Sequence, residues 1–252
     1  MPAALSVIPV EGIPEIREGD SLADEIARAL RASGRELIEG DVLAVAQKIV
    51  SKAEGRVRLL RDVEPGAEAQ RLASEQGKDP RVVELVLRES RRIVRIARGV
   101  IISETHHGLV CANAGVDRSN AGAPDAVVLL PVDPDASAAR LRAELADATG
   151  VPVGIVITDT FGRAWREGHV NVAIGMAGLA PFVRYVGQRD PHGYELRVTE
   201  IALADEIAAA SELVMGKLSR LPAAIVRGLA PHEAENGGAR AYVRPAERDL
   251  FR

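Results

Sequence analysis

The stretch 151-VPVGIVITDT-160 is the clearest buried strand in the chain: Val151 to Ile157 is apolar and rich in β-branched residues, and it breaks into Thr158, Asp159 and Thr160. Working outward, 133-DPDASAARLRAELADATG-150 reads as a helix capped by Asp135, with Leu141 and Leu145 inward and Gly150 past its end. Downstream, 199-TEIALADEIAAASELVMG-216 reads as a long helix leading to the apolar strand 222-PAAIVRGL-229. Upstream, 19-GDSLADEIARALRASG-34 is a helix capped at Asp20 or Ser21, with Leu22, Ile26 and Leu30 on one face. The next element, 41-DVLAVAQKIV-50, reads as a mostly buried strand whose polar residues gather at its far end.

A second helix is expected over 79-DPRVVELVLRESRRIVRIARG-99, capped by Asp79, with Pro80 at its first position, Gly99 as its stop, and Arg88, Arg91, Arg92 and Arg95 as an exposed face. Then 100-VIISETHHGLVCANAG-115 reads as a hairpin turning near His106 to Gly108, and 125-DAVVLLPV-132 as a further strand. Strands and helices mingle without a strict βαβ repeat, and no Pro/Ser-rich linker divides them. The pattern predicts one mixed α+β domain over 1–252.

With 252 residues and 47% hydrophobic composition the chain can bury a substantial core. Lysine and arginine number 32 against 36 acidic residues, so a net charge of -4 gives no uniform positive field for a nucleic acid backbone. Aromatics at 3% are too few for base-stacking platforms. The single Cys111 excludes an internal disulfide and reads as a small buried hydrophobe. No basic leader with an apolar core opens the chain, and no apolar run reaches the length of a membrane span, so a cytoplasmic location is expected.

No GxxxxGK[ST], GxSxG or HExxH occurs, so a nucleotide would have to be bound by another route. Two acidic loops stand out. Asp117 in AGVDRSNAG and Asp159 in ITDTFGRAW each end an apolar run, and each has a hydroxyl and an arginine nearby: Ser119 with Arg118, Thr160 with Arg163. Carboxylate and hydroxyl oxygens suit hard cations such as Mg²⁺ or Mn²⁺, and arginines suit phosphate or carboxylate oxygens. Either loop taken alone is better explained by an aspartate capping a turn. Lys48 and Lys52, four apart in QKIVSKAEG, could reach phosphates or lie solvated on a surface. The adjacent pair His106 and His107 points to opposite sides of a strand and is read as part of the hairpin.

Seven blocks, GIPEI, QKIVSKAEGR, ETHHGLVCANAGVDRSNAG, LLPVDPDASAARLR, VITDTFGRAWREG, GYELRVTEIALADE and IVRGL, together resemble the coenzyme F420-0:L-glutamate ligase family, in that family's order, from near residue 12 to near residue 229. LLPVDPDASAA and GKLSRLP most resemble its bacterial branch, whose members often carry a second, flavin-reductase-like domain; ending soon after RDLFR, the chain is expected to lack it. The resemblance implies GTP-dependent addition of L-glutamate to coenzyme F420-0 or its dehydro form, first by an amide and then by γ-linkages. It also implies a pair of Mg²⁺ or Mn²⁺ ions, a potassium ion in some members, a homodimer, and a fold built around largely antiparallel sheet.

Carried over by position, Asp117 and Asp159 match the family's metal carboxylates, Thr160 a hydroxyl ligand of the second metal, and Asn120 a nucleotide contact. Ile13, Pro14, Glu15 and Ile16 in the N-terminal turn, Gln47, Lys48 and Lys52, and Met215, Gly216 and Lys217 fall on nucleotide-holding segments. Arg163 and Arg166 are expected to orient the acceptor carboxylate or the incoming glutamate. Where many relatives carry a metal-ligating Gln, this chain has Lys217, which has no lone pair when protonated. That departure keeps two rivals open: a nucleotide- or deazaflavin-binding protein without turnover, and a metal-dependent GTP phosphohydrolase.

Overall fold

The computed structural model describes residues 4–229 and 237–251. In chain order the elements are β1 (Ser6–Pro9), α1 (Leu22–Ala32), β2 (Val42–Ala46), α2 (Gln47–Ala53), β3 (Val57–Leu59), α3 (Ala67–Gln76), α4 (Pro80–Arg88), β4 (Ser90–Ala97), β5 (Val100–Thr105) and β6 (Val110–Ala112). They continue with β7 (Ala126–Val128), α5 (Pro134–Thr149), β8 (Gly154–Arg163), β9 (Arg166–Ala177), β10 (Phe182–Arg184), β11 (Glu200–Ala202), α6 (Leu203–Met215) and β12 (Ala223–Arg227).

The central sheet has the order β1-β12-β2-β8-β9. Its β2–β8 pair is parallel and its other pairs are antiparallel. The fold is therefore α+β with a mixed, largely antiparallel sheet. Strand alternation splits the sheet's side chains between two cores. Leu43, Val45, Ile155, Ile157 and Ile225 face α1 and α5, whereas Val42, Ala44, Val156 and Val226 face α6. Helices thus cover both faces, which is why β2, β8 and β12 read as near-continuous apolar runs.

Residues 57–129 build a separate packing unit. Helices α3 and α4 bury Leu72, Val83 and Val86 against Ile101 of the β4-β5-β6 sheet, Val127 of β7 and Leu129 just past it. Arg56 ties this unit to the rest: its Nε donates to the Leu130 carbonyl at 2.8 Å and its Nη2 to Glu89 at 2.8 Å.

Several sequence expectations need correction. The helix expected over 79–99 ends at Arg88, and Ser90–Ala97 is a strand paired with β5. The run Arg91, Arg92, Ile93, Val94, Arg95, Ile96 fits either period, and pairing with β5 decides it. Gly99 accordingly sits in the β4–β5 turn with φ 74°, not at a helix end. The strand expected over 41–50 stops at Ala46, and Gln47–Ala53 is helical. The cap of α5 is Asp133, whose carboxylate accepts from Ala136 N, while Asp135 lies in the first turn and accepts from the N–H groups of Met176 and Ala239. β8 runs past Thr160 to Arg163, and α6 begins at Leu203 because residues 200–202 pair with β10. The hairpin turn at His106 to Gly108, the Ser21 and Asp79 caps, and the buried Cys111 agree with expectation.

Gly175 in β9 is packed so closely by the first turn of α5 that a Cβ would overlap the backbone carbonyl of Pro134. Backbone cannot swing aside as a side chain can. Gly175→Ala is therefore expected to cost about 2 kcal/mol or more through overpacking, read as a lowered urea midpoint. An unchanged midpoint would show that α5 is free to shift away from the sheet.

Candidate functional site

The carboxyl ends of the parallel strands β2 and β8 emerge side by side, with Ala46 opposite Thr158. Such ends are where sheets of this kind gather ligands. β2 passes directly into α2, which sets Lys48 in that helix's first turn. β8 continues, and its alternation puts Asp159 on the side of Ile155 and Ile157. The third contributor is the 113–120 loop, delivered by β6. Asn113, Ala114 and Asn120 take left-handed conformations (φ 52°, 52° and 55°), which fold the loop sharply back. At Gly115 a Cβ would meet the Leu130 side chain at 2.7 Å, so the close approach of loop and core requires glycine there.

Lys48 Nζ donates to Asp117 Oδ2 at 2.6 Å, to the Ser119 carbonyl at 2.8 Å and to Ser119 Oγ at 2.5 Å. Ser119 in turn donates from its N–H to Asp117 Oδ1 at 2.7 Å and from its hydroxyl to Oδ2 at 2.8 Å. Just past α6, Lys217 holds its ammonium 4.0 Å from the same Asp117 oxygen. Asp159 lies within the electrostatic reach of Lys48, Asp117 and Lys217 together. The structure thus brings both acidic loops, Lys48 and Lys217 to one place.

The titration shifts follow from that crowding. Burial raises the Asp159 carboxyl to about 6, with Asp117 adding to the rise while the Thr160 backbone N–H, Lys48 and Lys217 oppose it. For Asp117 burial pushes upward too, but the Lys48 bond and the Ser119 N–H outweigh it and hold the carboxyl below its ordinary range. Burial lowers the Lys48 ammonium, against the pull of Asp117. The thiol of Cys111, on the neighbouring strand β6, is pushed up to about 12 by burial and by the charge of Asp159.

Other positions singled out from the sequence lie around this centre. Lys52, one helical turn beyond Lys48, is buried and ion-paired with Glu15, which docks the Ile13–Ile16 turn on α2; Ile16 is buried and Ile13 packs against the core. Gln47 is 1% exposed; its Oε1 accepts from Ser51 Oγ while its Nε2 has no partner. Asn120 is exposed on the Asp117 loop. Met215 is buried as the last residue of α6, and Gly216 caps that helix. Arg118 reaches away, to Asp79 at 3.0 Å.

Thr160 faces the other side of the sheet from Asp159. Its hydroxyl donates to Asn171 Oδ1 at 2.7 Å, and Asn171 Nδ2 donates to Glu212 at 3.0 Å. Asn171 and Glu212 were not visible as site neighbours in the sequence. A lone amide in the apolar alternation of 170-VNVAIG-175 was the available signal for the first, whereas Glu212 looks like any helix-surface acid. Arg163 and Arg166 are exposed on the β8–β9 arm, with Arg163 on the Glu167 carbonyl. Thr158 Oγ1 is buried and unpartnered.

Two carboxylates, a serine carbonyl and hydroxyl, and two ammonium groups converge at the carboxyl end of a parallel strand pair. This is a polar cluster of the class that suits a polyanion accompanied by a hard cation. Comparison with known proteins gives the class a family. The F420-0:Gamma-glutamyl ligase model matches residues 12–228, and the chain belongs to that family. The coenzyme F420:L-glutamate ligase of Methanopyrus kandleri is 49% identical over 255 residues, covering 98% of this chain and 99% of that protein. Its counterpart in Methanothermobacter thermautotrophicus is 46% identical over 250 residues, with 98% and 99% covered. That of Methanocaldococcus jannaschii is 42% identical over 215 residues, with 85% of each chain covered.

Because the folded Asp159 carboxyl titrates at about 6 instead of near the ordinary carboxylate value, its charge destabilises the metal-free fold. The cost is absent below the unfolded value, grows between the two, and is complete above about 6. Asp159→Asn is expected to stabilise the metal-free protein by about 2 kcal/mol at pH 7.5, a rise of several degrees in Tm, with the gain shrinking as pH falls through about 6. A Tm difference independent of pH would show that Asp159 carries no such burden.

Proposed function

We propose that this protein is a GTP-dependent ligase that joins L-glutamate to coenzyme F420-0, or to its dehydro form, and extends the product by γ-glutamyl linkages. The observation that carries the proposal is the convergence of Asp117, Asp159, Lys48 and Lys217 on one place at the end of the sheet. Family membership supports the reaction class, and the names of the relatives support the coenzyme and the amino acid.

The donor set fits a hard divalent cation. Lys48 collects a carboxylate, a carbonyl and a hydroxyl oxygen around its ammonium, so the chain already gathers oxygen ligands about a positive centre. Asp159 supplies a second carboxylate, whose pKa burial raises against the pull of the surrounding lysines. No cluster of three His, Cys, Asp or Glu stands among the described residues, so a cation held by Asp117 and Asp159 would take further oxygens from phosphates. Mg²⁺ or Mn²⁺ there would neutralise triphosphate charge and polarise the γ-phosphoryl group, and Thr160, with its Asn171 partner on the other side of β8, would serve a second ion. K⁺ would be a further monovalent companion.

A carboxylate and an ammonium do not condense unaided, because each is in its unreactive ionised form and hydroxide is a poor leaving group. In the proposed reaction an acceptor carboxylate oxygen forms a bond to the γ-phosphorus while the bond from that phosphorus to the β-γ bridging oxygen breaks, releasing GDP. The neutral amine of glutamate then adds to the acyl carbon of the acyl phosphate. Inorganic phosphate leaves with the electron pair, and the amine proton passes to solvent or phosphate. Lys48 and Lys217 reduce the repulsion between acceptor carboxylate and triphosphate. Lys52 and Glu15 fix the N-terminal turn against α2, and Gln47, Asn120, Met215 and Gly216 frame the nucleotide. Arg163 and Arg166 offer guanidinium groups to the substrate carboxylates.

A homodimer is the proposed assembly. Leu213 and Leu218, at 86% and 91% exposure beside Lys217, are apolar surface next to the pocket that a second copy would cover. No helix among the described residues is long and apolar enough to cross a membrane.

Incubation with GTP, Mn²⁺, glutamate and the deazaflavin precursor is expected to release GDP and raise the precursor mass by one or more glutamyl residues. Asp159→Ala is expected to lower turnover by about a hundredfold or more with an unchanged circular dichroism spectrum. GDP released equally without acceptor would identify a phosphohydrolase, and nucleotide binding without product a non-catalytic carrier.

A further inference from the structure

A second polar pocket, of about 390 Å³, opens where the β5–β6 hairpin meets the C-terminal segment 239–251. Its walls carry Arg91 and Arg92 from β4, His106 and His107 from the hairpin turn, and Arg240 and Arg244 from the C-terminal segment. Among the described residues of that lining Glu104 and Asp249 are the carboxylates, so four described guanidinium groups face two described carboxylates, an excess of positive charge even with both imidazoles neutral. Arg91 and Arg92 lean on the same Glu104, at 3.4 and 2.8 Å. The guanidinium of Arg244 is held over the Phe251 ring, 5.6 Å from its centre, which restricts its motion.

The tip of the β8–β9 arm, whose strand β8 carries Asp159, meets the wall of this pocket through Trp165, Phe251 and Arg244. Residues two apart on a strand share a face, so Asp159 and Phe161 form one row, and the pairing with β9 shifts register between Gly162 and Arg163 before the tip. At the tip Trp165, 80% exposed, lies with its ring 5.0 Å from that of Phe251, whose other neighbour is Arg244. From Asp159 to the end of β8 at Arg163 the extended chain covers about 13 Å, and Trp165 follows in the turn. The arm therefore leads from a carboxylate-bearing end, past aromatic side chains, to a guanidinium-rich end.

We infer that the arginine pocket is a second anion site, and that it takes a phosphate or carboxylate group of an extended acceptor whose reacting carboxylate lies at Asp159. Planar guanidinium forks match the oxygens of either group, and aromatic side chains between the two ends suit a flat ligand body. The identity of the ligand rests on the ligase reading; the preference for anions rests on the pocket alone.

Trp165 is the single tryptophan of the chain, so its emission reports on the Phe251–Arg244 stack without labelling. Titration of the full-length protein with inorganic phosphate, and separately with γ-glutamylglutamate, is expected to change that emission saturably. Arg240→Gln is expected to weaken the binding about tenfold, and Lys48→Met to leave it unchanged. Calorimetry gives the same comparison for Arg244→Gln, where the stack itself is altered. In the ligation assay Arg240→Gln should raise KM for the acceptor about tenfold and leave kcat and KM for GTP as they are. Emission and heat indifferent to both probes, or equal in wild type and Arg240→Gln, would overturn the anion site. Anion binding with an unaltered acceptor KM would assign the pocket to free phosphate and overturn the acceptor assignment. A wild-type protein that fails to ligate would strike the ligase reading alone, and the fluorescence comparison would still decide the pocket.

Discussion

The bond from Lys48 to Asp117 is the contact on which the site's geometry depends. It links a helix anchored in the central sheet to a loop anchored in the 57–129 unit, so it sets how these two pieces meet as well as how their charges balance. Without that ammonium, Asp117 and Asp159 would raise each other's pKa in a partly desolvated pocket, and one would take up a proton. With it, Asp117 is held ionised below its ordinary range while Asp159 is left near 6. The two carboxylates are chemically distinct before any ligand arrives. One is committed to a lysine, and the other is poised for a stronger cation.

The surrounding scaffold explains how such a costly arrangement persists. Asp41, 1% exposed, receives two hydrogen bonds from Arg227 and thereby ties the start of β2 to β12 at the end of the sheet opposite the pocket. The N–H of Ala173 donates to Asp205, and the N–H of Ala204 to the Tyr242 hydroxyl, which fastens α6 to β9 and to the C-terminal segment. These links lie away from the reacting centre and hold β8 and α6, the elements that deliver Asp159 and Lys217. Strain is thus concentrated at one sheet end while satisfied polar pairs and two apolar cores hold the rest.

Much of this was legible in the sequence where periodicity and local chemistry agree. The apolar run before Asp159, the Ser21 and Asp79 caps and the 106–108 turn each follow from residues within a few positions. What failed was decided at a distance. Residues 90–97 carry both a helical and a strand-like arrangement of arginines, and only pairing with β5 selects the strand. Asp133 and Asp135 are both good caps; Asp133 takes the role because Asp135 is engaged by the backbone of β9 and of residue 239. The convergence of Asp117 with Asp159 needed tertiary structure, as did the third side chain in the hydrogen-bonded row Thr160, Asn171, Glu212. A carboxylate on an exposed helix turn carries no local mark of the strand it will touch.

The substitution of a cation for a neutral donor at Lys217 has a consequence for how ligands enter on the proposed reading. Asp117 and Asp159, when ionised, are matched in charge by Lys48 and Lys217, so the empty pocket is near neutrality. A divalent cation entering alone would leave the pocket with excess positive charge and would have to compete with Lys48 for Asp117. A triphosphate entering alone would meet two carboxylates. Entering together, cation and polyphosphate cancel each other's excess, and phosphate oxygens give Lys48 and Lys217 acceptors to replace Asp117. Binding of metal and nucleotide is then mutually dependent, each strengthening the other by the same factor. On that reading Lys217 would stand in for a metal ligand by making the site admit the two as one unit.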